Sequence, residues 1–431
     1  MLHIGLDIIY LAFCSYLHLQ FFNHHRYRAD GILIPVLRQA LSVSGDFTEA
    51  PYYFEMTLIA STLNYKRPFL LGDLLISSRS AAKSIQLPTN TIDVTQYLDT
   101  NTSLAVDLYQ KVYIINKNVA IALAGVVTEM TEFLKEFTIR CSYYDPIDEA
   151  GIRKFIEEYD YSTKFQKSAF FILLMKPEGN MISVKQFWSP KELWKTTKSE
   201  IFEEVYACGT GKEDFLHHTT EQQQFDASSD KGDILRAIAA NLGFIAKLLA
   251  IERVSLHTIK KNWGGGFETI CFDGNSFIKI DEIAYVINYA QFDGDGNLDL
   301  PFPQLIQYYK YYKDTLFIVA IEVTKWGRFE NETEIVLTST DCRVDVFPVP
   351  RLDLPIGSAI ELPPSFSFLT HRLALGYALI TKDNDIFAPS FFMESKNMKV
   401  TYEDRKYVEL IIDKKVSDLI RNKAKEVYPN I

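Results

Sequence analysis

The sequence predicts an α+β protein in which β-sheets are covered by helices. Two observations support this fold class. Strand-like segments come first, helical segments follow, and further strands come after them, an order that favours layered α+β domains over alternating α/β units. The chain of 431 residues, 47% hydrophobic and 23% charged, is also long enough for a sizeable core and has an ordinary globular composition.

The first strands are predicted between residues 57 and 78. "TLIASTL" and "FLLGDLLISS" are short apolar runs joined by the turn residues "NYKRP". "KVYIINKNVAIALAG" is a second strand pair, which turns at Asn116-Lys117-Asn118. "VVTEMTEFLKEFTIRC" follows with helical spacing, and one side of this helix carries Met130, Phe133, Leu134 and Phe137.

The later elements define the predicted domain boundaries. Residues 234–254, "ILRAIAANLGFIAKLLAIERV", are apolar nearly all round and predict a helix buried between layers. "FETICFDGNSFIKI" predicts a hairpin by its Asp-Gly-Asn turn. A Gly- and Asp-rich break then precedes short strands, proline-rich loops and a basic final helix. We therefore expect a leader or propeptide at 1–55, a main α+β domain at 56–300 and a β-rich domain at 301–431.

Charge and cysteine usage exclude several classes of protein. A net charge of -10 argues against partnership with nucleic acid or an anionic membrane. The five cysteines form no CxxC pair, which indicates neither a zinc site nor a disulfide framework and favours the reducing cytoplasm. The apolar stretch 6–22 is interrupted by Asp7 and His18 and lacks a basic start, so we expect an ordinary helix or non-native leader there.

Motifs for cofactors are also incomplete. "GTGK" at 209–212 is not a phosphate-binding loop, because Tyr206 and Glu213 stand where glycine and Ser/Thr are required. "DGDGNLD" at 293–299 begins like a calcium loop but has Leu298 at the position of the required glycine. The sequence therefore predicts no metal and no cofactor.

Four polar or glycine residues stand out within the apolar segments. Asp73, inside "LLGDLL", is costly to bury unless it is paired, and it follows Thr57 by sixteen residues. Lys111 opens the apolar strand "KVYIIN" and is the candidate partner of Asp73. Gly125 follows fourteen residues later, where a strand passes into a helix and a backbone N–H could face a ligand.

These spacings resemble those of the proteasome β subunits and their bacterial relatives, the threonine peptidases of the N-terminal-nucleophile hydrolase family. Both the Thr-to-Asp and the Lys-to-Gly spacings match the family's active site. "ACGTGKEDF" resembles the family's Gly-Ser-Gly turn, with Thr210 at the serine position, and "WGGGFETICF" resembles its glycine-rich entry to a late strand. The resemblance covers roughly residues 56–290 and implies a four-layer αββα sandwich.

The resemblance assigns a role to each residue. Thr57 would be the nucleophile with its own α-amine as base, which requires Thr57 to be the first residue of the mature chain. Lys111 would supply positive charge, Asp73 would hold that lysine, and the Gly125 N–H would stabilise the oxyanion. Thr57 could become the terminus by self-cleavage after Met56 or by initiation at Met56, and the sequence does not choose between these routes.

Substrate and assembly follow from the same resemblance. The pocket for the residue before the scissile bond would be apolar and predicts cleavage after large hydrophobic residues; its predicted lining is Ile76, Tyr109, Tyr113, Leu123 and Val127. Relatives form rings that act on unfolded polypeptides, so a homo-oligomeric ring is expected, with an ATPase partner left open. The alternative function is a non-catalytic ring subunit, structural or sensing.

Two departures from the family pattern stand out. The interval from Asp73 to Lys111 is longer than usual, so residues 80–103 are expected to form an inserted loop. The family's Asp-x-x-Ser ahead of the glycines is absent, since this chain has "IKKNWGGG" there. The side chains that normally position the terminal amine are therefore not supplied by this segment.

Overall fold

The computed structural model describes the protein from Leu58 onward as a mixture of helices and mostly antiparallel sheets. Thr57, the predicted leader at 1–55, most of the predicted final helix and, within the predicted break at 292–303, residues 293–297 and 300–302 lie outside the described residues. The described residues are 58–64, 67–78, 84–90, 103–143, 147–159, 161–178, 181–199, 201–220, 233–292, 298–299, 303–354, 360–361, 363, 373–382, 385–387, 390–394, 398–403, 407–415, 418, 422 and 426.

The secondary structure begins with strands, passes through two groups of helices and ends with strands. The helices are α1 Val127–Tyr143, α2 Glu149–Glu158, α3 Tyr161–Lys164, α4 Lys212–Thr220, α5 Asp233–Ser255 and α6 His257–Lys260. The strands are β1 Leu58–Asn64, β2 Arg67–Asp73, β3 Leu75–Ser78, β4 Leu104–Leu108, β5 Val112–Asn116, β6 Val119–Ala124, β7 Ala169–Glu178, β8 Met181–Ser189, β9 Lys195–Thr197, β10 Glu204–Gly209, β11 Phe267–Phe272, β12 Phe277–Lys279, β13 Ile283–Phe292, β14 Leu298–Asp299, β15 Leu305–Tyr312, β16 Thr315–Glu330, β17 Glu334–Val349, β18 Leu373–Lys382, β19 Asp385–Phe387, β20 Ser390–Glu394, β21 Met398–Glu403 and β22 Tyr407–Asp413.

The described strands form four sheets. A six-stranded sheet has the order β12-β11-β2-β1-β10-β9, a four-stranded sheet has the order β5-β6-β7-β8, and β3 pairs with β4. The largest sheet follows the path β19-β18-β13-β15-β16-β17-β22-β21. Its strand β13 pairs in parallel with β18, whereas β13 and β15 are antiparallel. The strand before residue 293 is therefore built into the same sheet as the C-terminal strands.

The four-stranded sheet packs helices on one face and the six-stranded sheet on the other. Strand β6 alternates between the two faces, as the period of two in a strand requires. Its residues Ile121 and Leu123 pack with Phe133 of α1, whereas Ala120 and Ala122 belong to the apolar cluster between the sheets. Ile59 of β1 and Leu70 of β2 face the same inter-sheet cluster.

The opposite face of the six-stranded sheet packs against α5. Leu58 and Ala60 of β1 share a buried cluster with Leu242 of α5, and the same cluster includes Ile283 and Tyr285 of β13. Helix α5 therefore lies between the six-stranded sheet and the largest sheet, and its apolar surface on all sides is explained by burial. Its residues 234–255 also meet the length and composition of a membrane span, but most of that segment is buried inside the protein.

Several predicted elements are confirmed. The β1–β2, β5–β6 and β11–β12 hairpins are present, and α1 buries the four predicted apolar side chains. The predicted strand at 69–78, in contrast, is broken at Leu74. The Leu74 N–H donates to the carbonyl oxygens of Gly264 and Gly266, both at 3.1 Å, instead of continuing a ladder. This break leaves Asp73 at the end of β2, against the segment Gly264-Gly265-Gly266, the glycine loop.

Candidate active site

Asp73, at the end of β2 in the six-stranded sheet, and Lys111, directly before β5 of the four-stranded sheet, form a fully buried ion pair. Lys111 Nζ lies 2.6 Å from Asp73 Oδ1, and both side chains are 0% exposed. The ammonium also donates to the carbonyl oxygen of Leu75 at 2.6 Å. An ammonium has three donors, and its third N–H has no acceptor among the residues that the structure describes. Among the described residues, the ammonium is thus bonded to one carboxylate oxygen and one carbonyl oxygen.

The other oxygen contacts of Asp73 come from backbone N–H groups. Leu58 N–H donates to Oδ1 at 2.9 Å, and Gly264 N–H donates to Oδ2 at 2.8 Å. Leu58 is the residue directly after Thr57 and opens β1. The carboxylate therefore connects the start of β1, the lysine and the glycine loop at a single point.

Burial shifts the pKa of each member of the pair. Loss of solvent raises the pKa of Asp73 above its ordinary value, while Lys111 and the N–H groups of Leu58 and Gly264 oppose this change. Loss of solvent lowers the pKa of Lys111, with Asp73 and Glu268 opposing it. Burial thus opposes the charged form of both groups, and their mutual contact favours it.

Glu268 fixes the backbone at Lys111. Its Oε1 accepts from the N–H groups of Lys111 at 2.5 Å and Val112 at 3.0 Å. Its Oε2 accepts from the Tyr311 hydroxyl at 2.8 Å and lies 3.2 Å from Lys279 Nζ. Because Tyr311 belongs to the largest sheet, Glu268 also ties the lysine strand to the C-terminal strands.

Gly125 directly follows β6 and has a backbone conformation that favours glycine. Its φ is +127°, and a Cβ at this position would lie 2.4 Å from Ser168 Cα. The next N–H, of Val126, donates to Ser168 Oγ at 3.0 Å. Leu123, two residues earlier, donates its N–H to the Lys111 carbonyl at 2.9 Å. Gly125 therefore follows the strand segment that is paired with Lys111.

Thr210 lies in the turn between β10 and α4, next to the glycine loop. Its Oγ1 donates to the carbonyl oxygen of Asn262 at 3.1 Å, two residues before Gly264. The pairing of Leu58 with Gly209 brings this turn to the end of the sheet where β1 begins. Gly211 is required here, since a Cβ would lie 2.5 Å from the Trp263 ring.

The five predicted pocket residues differ in accessibility. Ile76 is 3% exposed, and Tyr113 and Leu123 are 0% exposed, whereas Tyr109 and Val127 are only partly buried. Leu352, which follows β17, belongs to the same apolar cluster as Tyr113 and Leu123 and is 4% exposed. Three of the five predicted pocket residues are therefore buried in the core of the protein itself.

Glu252 is a site residue that the sequence reasoning did not single out. It is 0% exposed on α5, and it accepts hydrogen bonds from Thr258 Oγ1 at 2.7 Å, from Gly265 N–H at 3.0 Å and from the Thr89 hydroxyl. Gly264 lies so close that a Cβ there would be 2.0 Å from Glu252 Oε2. The glycine loop is thus held between Glu252 on one side and Asp73 on the other. A lone carboxylate within the apolar run "LLAIERV" is the signal that could have found it.

Glu252 predicts a pH-dependent stability. Burial raises its pKa from 4.5 to about 7, with the hydrogen bonds opposing and Asp73 adding to the rise. The raised value favours the protonated form in the folded state, so its contribution to stability is fully present below pH 4.5 and is lost as the pH rises through about 7. We expect the free energy of unfolding of the wild type to fall by roughly 3 kcal/mol over this range relative to Glu252→Gln.

Urea unfolding of both proteins at several pH values measures this difference. The amide of Glu252→Gln keeps the size and hydrogen-bonding ability of the protonated acid and does not titrate, so it is the matched reference. Parallel stability curves for the two proteins between pH 4 and 8 would contradict the titration of Glu252.

No metal centre is present in the part of the chain that the structure describes, because no group of three or more His, Cys, Asp or Glu residues there could hold an ion. Comparison of the chain with protein-family models gives no match, and a search of curated proteins also gives none. The candidate site therefore rests on the residues and geometry described above.

Proposed function

We propose that the protein is a threonine-type peptidase of the N-terminal-nucleophile class, with Thr57 as nucleophile. The observation that carries this proposal is the buried Asp73–Lys111 pair, which also receives the N–H of Leu58, the residue after Thr57. A buried ion pair is expensive to maintain and is weak evidence for stability alone. Its position directly beside the start of β1 supports a chemical role.

The packing supports the four-layer fold proposed with this function. Helix α1 covers the four-stranded sheet, the two sheets face each other, and α5 covers the six-stranded sheet. In this arrangement the nucleophile would lie just before the start of β1, the end of the sheet at which β2 and β10 end. We propose that residues 56–300 form this hydrolase domain and that 301–431 form a β-rich addition.

Each neighbouring group has a proposed chemical task. The α-amine of a terminal Thr57 takes the hydroxyl proton as the oxygen attacks the scissile carbonyl carbon. Lys111 lowers the proton affinity of that oxygen, and the donor of its ammonium that has no acceptor among the described residues makes this contact. The Gly125 N–H stabilises the oxyanion of the tetrahedral intermediate. Collapse of the intermediate returns the proton from the amine to the leaving nitrogen, and water then releases the acyl group.

A second candidate is a non-catalytic subunit of the same fold. The specific observation in its favour is that Ile76, Tyr113 and Leu123 of the predicted substrate pocket are buried in the core. In such a subunit the leader would stay attached and the ion pair would be purely structural. The two candidates differ in the state of residue 57.

Intact-mass measurement of the purified native protein separates these candidates. The peptidase proposal predicts a mature chain that begins at Thr57, because the amine base exists only at a terminus. A protein that retains the leader, together with the absence of peptide cleavage, would overturn the peptidase proposal in favour of the structural subunit. Expression from Met56 is the matched control, since removal of that methionine exposes Thr57 without self-cleavage.

The proposed setting is a cytoplasmic homo-oligomeric ring that acts on unfolded polypeptides without a metal or cofactor. Enclosure of a peptidase site within a ring restricts it to chains that can enter. An ATP-driven partner would supply such chains. Light scattering on the processed protein tests the assembly, and a monomer at micromolar concentration would argue against the ring.

A further inference from the structure

We propose that Glu252 is a positioning residue that holds the glycine loop against Asp73 and thereby fixes the Asp73–Lys111 pair. Glu252 lies on α5, is fully buried and belongs to none of the motifs that carry the resemblance to threonine peptidases. Its effect on hydrolysis rests on the proposed peptidase function, whereas its effect on Asp73 can be measured without any catalysis.

Two successive N–H groups of the glycine loop connect the two carboxylates. The Gly264 N–H donates to Asp73 Oδ2 at 2.8 Å, and the Gly265 N–H donates to Glu252 Oε2 at 3.0 Å. The Gly264 carbonyl accepts from the N–H groups of the two residues that follow Asp73, at 3.1 and 3.0 Å. This carbonyl and the Gly265 N–H belong to one planar peptide unit. The unit is therefore bonded to Glu252 on one edge and to the end of β2 on the other.

The close approach of Glu252 depends on the backbone of the loop. Gly264 has a φ of +110° and Gly265 a φ of +72°, both in the left-handed region that favours glycine. A Cβ on Gly264 would lie 2.0 Å from Glu252 Oε2. The carboxylate occupies the space that another residue type would need at 264, so the positions of Glu252 and of the loop are set together.

Glu252 is itself fixed by hydroxyl groups from two other segments. Its Oε1 accepts from the Thr89 hydroxyl, and its Oε2 accepts from Thr258 Oγ1 at 2.7 Å. Arg253, the next residue of α5, donates to the Thr89 carbonyl at 2.9 Å and pairs with Glu322 of β16 at 2.9 Å. Thr89 lies in the segment that the sequence predicts as an inserted loop. That segment therefore supports the carboxylate that holds the glycine loop.

The charge of Glu252 acts on a site that already contains ionisable groups. Asp73, which is paired with Lys111, adds to the rise that burial causes in the pKa of Glu252. Burial, with Glu252 adding to it, also raises the pKa of Tyr309. When Glu252 loses its proton, a second negative charge appears beside Asp73, and the hydrogen bond from the Gly265 N–H becomes charge-assisted. The change is therefore transmitted to Asp73 both through space and through the loop.

The ¹³C NMR signal of the Asp73 carboxyl carbon reports this link on the full chain and without substrate. Asp73→Asn assigns the signal by removing it. In the wild type the signal is expected to shift as the pH rises through about 7, where Glu252 loses its proton. Glu252→Gln should abolish this step, because its amide keeps an acceptor for the loop and a donor for the Thr89 hydroxyl but does not titrate. Identical titration curves in the two proteins would overturn the inference.

Glu252→Leu tests the consequence for hydrolysis, because it removes the acceptor that holds the loop. We expect kcat to fall by about 10- to 100-fold with little change in KM, since a displaced Asp73–Lys111 pair affects the reacting centre more than substrate binding. Glu252→Gln should recover most of the lost kcat at pH 6, where the wild-type residue is also mostly uncharged. Thr89→Val removes one supporting donor, should give a smaller loss and serves if the leucine variant does not fold.

Asn241→Leu is the matched control. Asn241 is also buried on α5, accepts from Thr62 Oγ1 at 2.9 Å and lies about three helical turns before Glu252. It should lower stability while leaving kcat and the Asp73 titration as in the wild type. Wild-type kcat in folded Glu252→Leu would overturn the inference and leave the peptidase proposal standing. If no protein with a terminal Thr57 cleaves any peptide, the peptidase proposal fails, and the Asp73 titration still decides whether Glu252 fixes Asp73.

Discussion

Lys111→Met is expected to abolish peptide hydrolysis and to lower the free energy of unfolding by about 3–5 kcal/mol. Methionine retains most of the apolar stem but removes the ammonium that contacts Asp73 at 2.6 Å. Among the described residues, the donors that then remain to the buried carboxylate are the N–H groups of Leu58 and Gly264. Urea unfolding measures the loss of stability, and a fluorogenic peptide assay measures the loss of activity.

A double variant separates the structural role of Lys111 from its chemical role. Asp73→Asn combined with Lys111→Met removes both charges, so part of the lost stability should return while hydrolysis stays absent. Lys310→Met is the surface control, because Lys310 pairs with Glu282 at 3.5 Å on the exterior and should behave like the wild type. Near wild-type stability in Lys111→Met would show that the Asp73–Lys111 contact is not made in solution.

Thr57→Ala, produced with residue 57 at the terminus, is expected to lower peptide hydrolysis by about 10³-fold or more. The alanine variant keeps the α-amine but has no hydroxyl to attack the carbonyl carbon. The contact from the Leu58 N–H to Asp73 uses the backbone and should survive, so stability should stay close to that of the wild type. Steady-state kinetics and urea unfolding on the same preparation measure both effects.

Thr57→Ser is the matched variant for the nucleophile, since it keeps both the hydroxyl and the amine. It should hydrolyse peptides measurably faster than Thr57→Ala does. Equal activity in the alanine variant and the wild type would assign the cleavage to a different nucleophile or to a contaminating enzyme.

Local sequence signals were sufficient for elements that form from their own periodicity. Helix α1 could be predicted because Met130, Phe133 and Phe137 recur at helical spacing, and all three are buried. The turn at 116–118 joins β5 and β6 as its residue types indicate. The burial of α5 followed from an apolar surface that surrounds the helix. In each case the determining residues are close together in the chain.

Features that depend on distant segments could not be predicted in the same way. The strand break at Leu74 arises because its N–H is bonded to carbonyl oxygens about 190 residues later in the chain. The Leu352 N–H donates to the Tyr113 hydroxyl from beyond the domain to which Tyr113 was assigned. No periodicity near either position reports these contacts, since both are decided by tertiary packing.

The buried carboxylates fall between these two cases. Asp73 could be singled out because an ionised side chain inside an apolar run requires a partner, and Lys111 is in contact with it. The same reasoning applies to Glu252 and to Glu268 in "GFETICF", which were not singled out. Their partners are largely backbone N–H and hydroxyl groups, which leave no charge pattern in the sequence.

Covalent labelling of the processed protein tests the central proposal most directly. A peptide epoxyketone forms a stable adduct only with a residue that presents both a hydroxyl and a free α-amine, so it reports the proposed nucleophile and base together. The peptidase proposal predicts one adduct per chain, located at Thr57 by peptide mapping, and none in Thr57→Ala. A protein with Thr57 at its terminus that takes up no label and cleaves no peptide would contradict the proposal and favour the non-catalytic subunit.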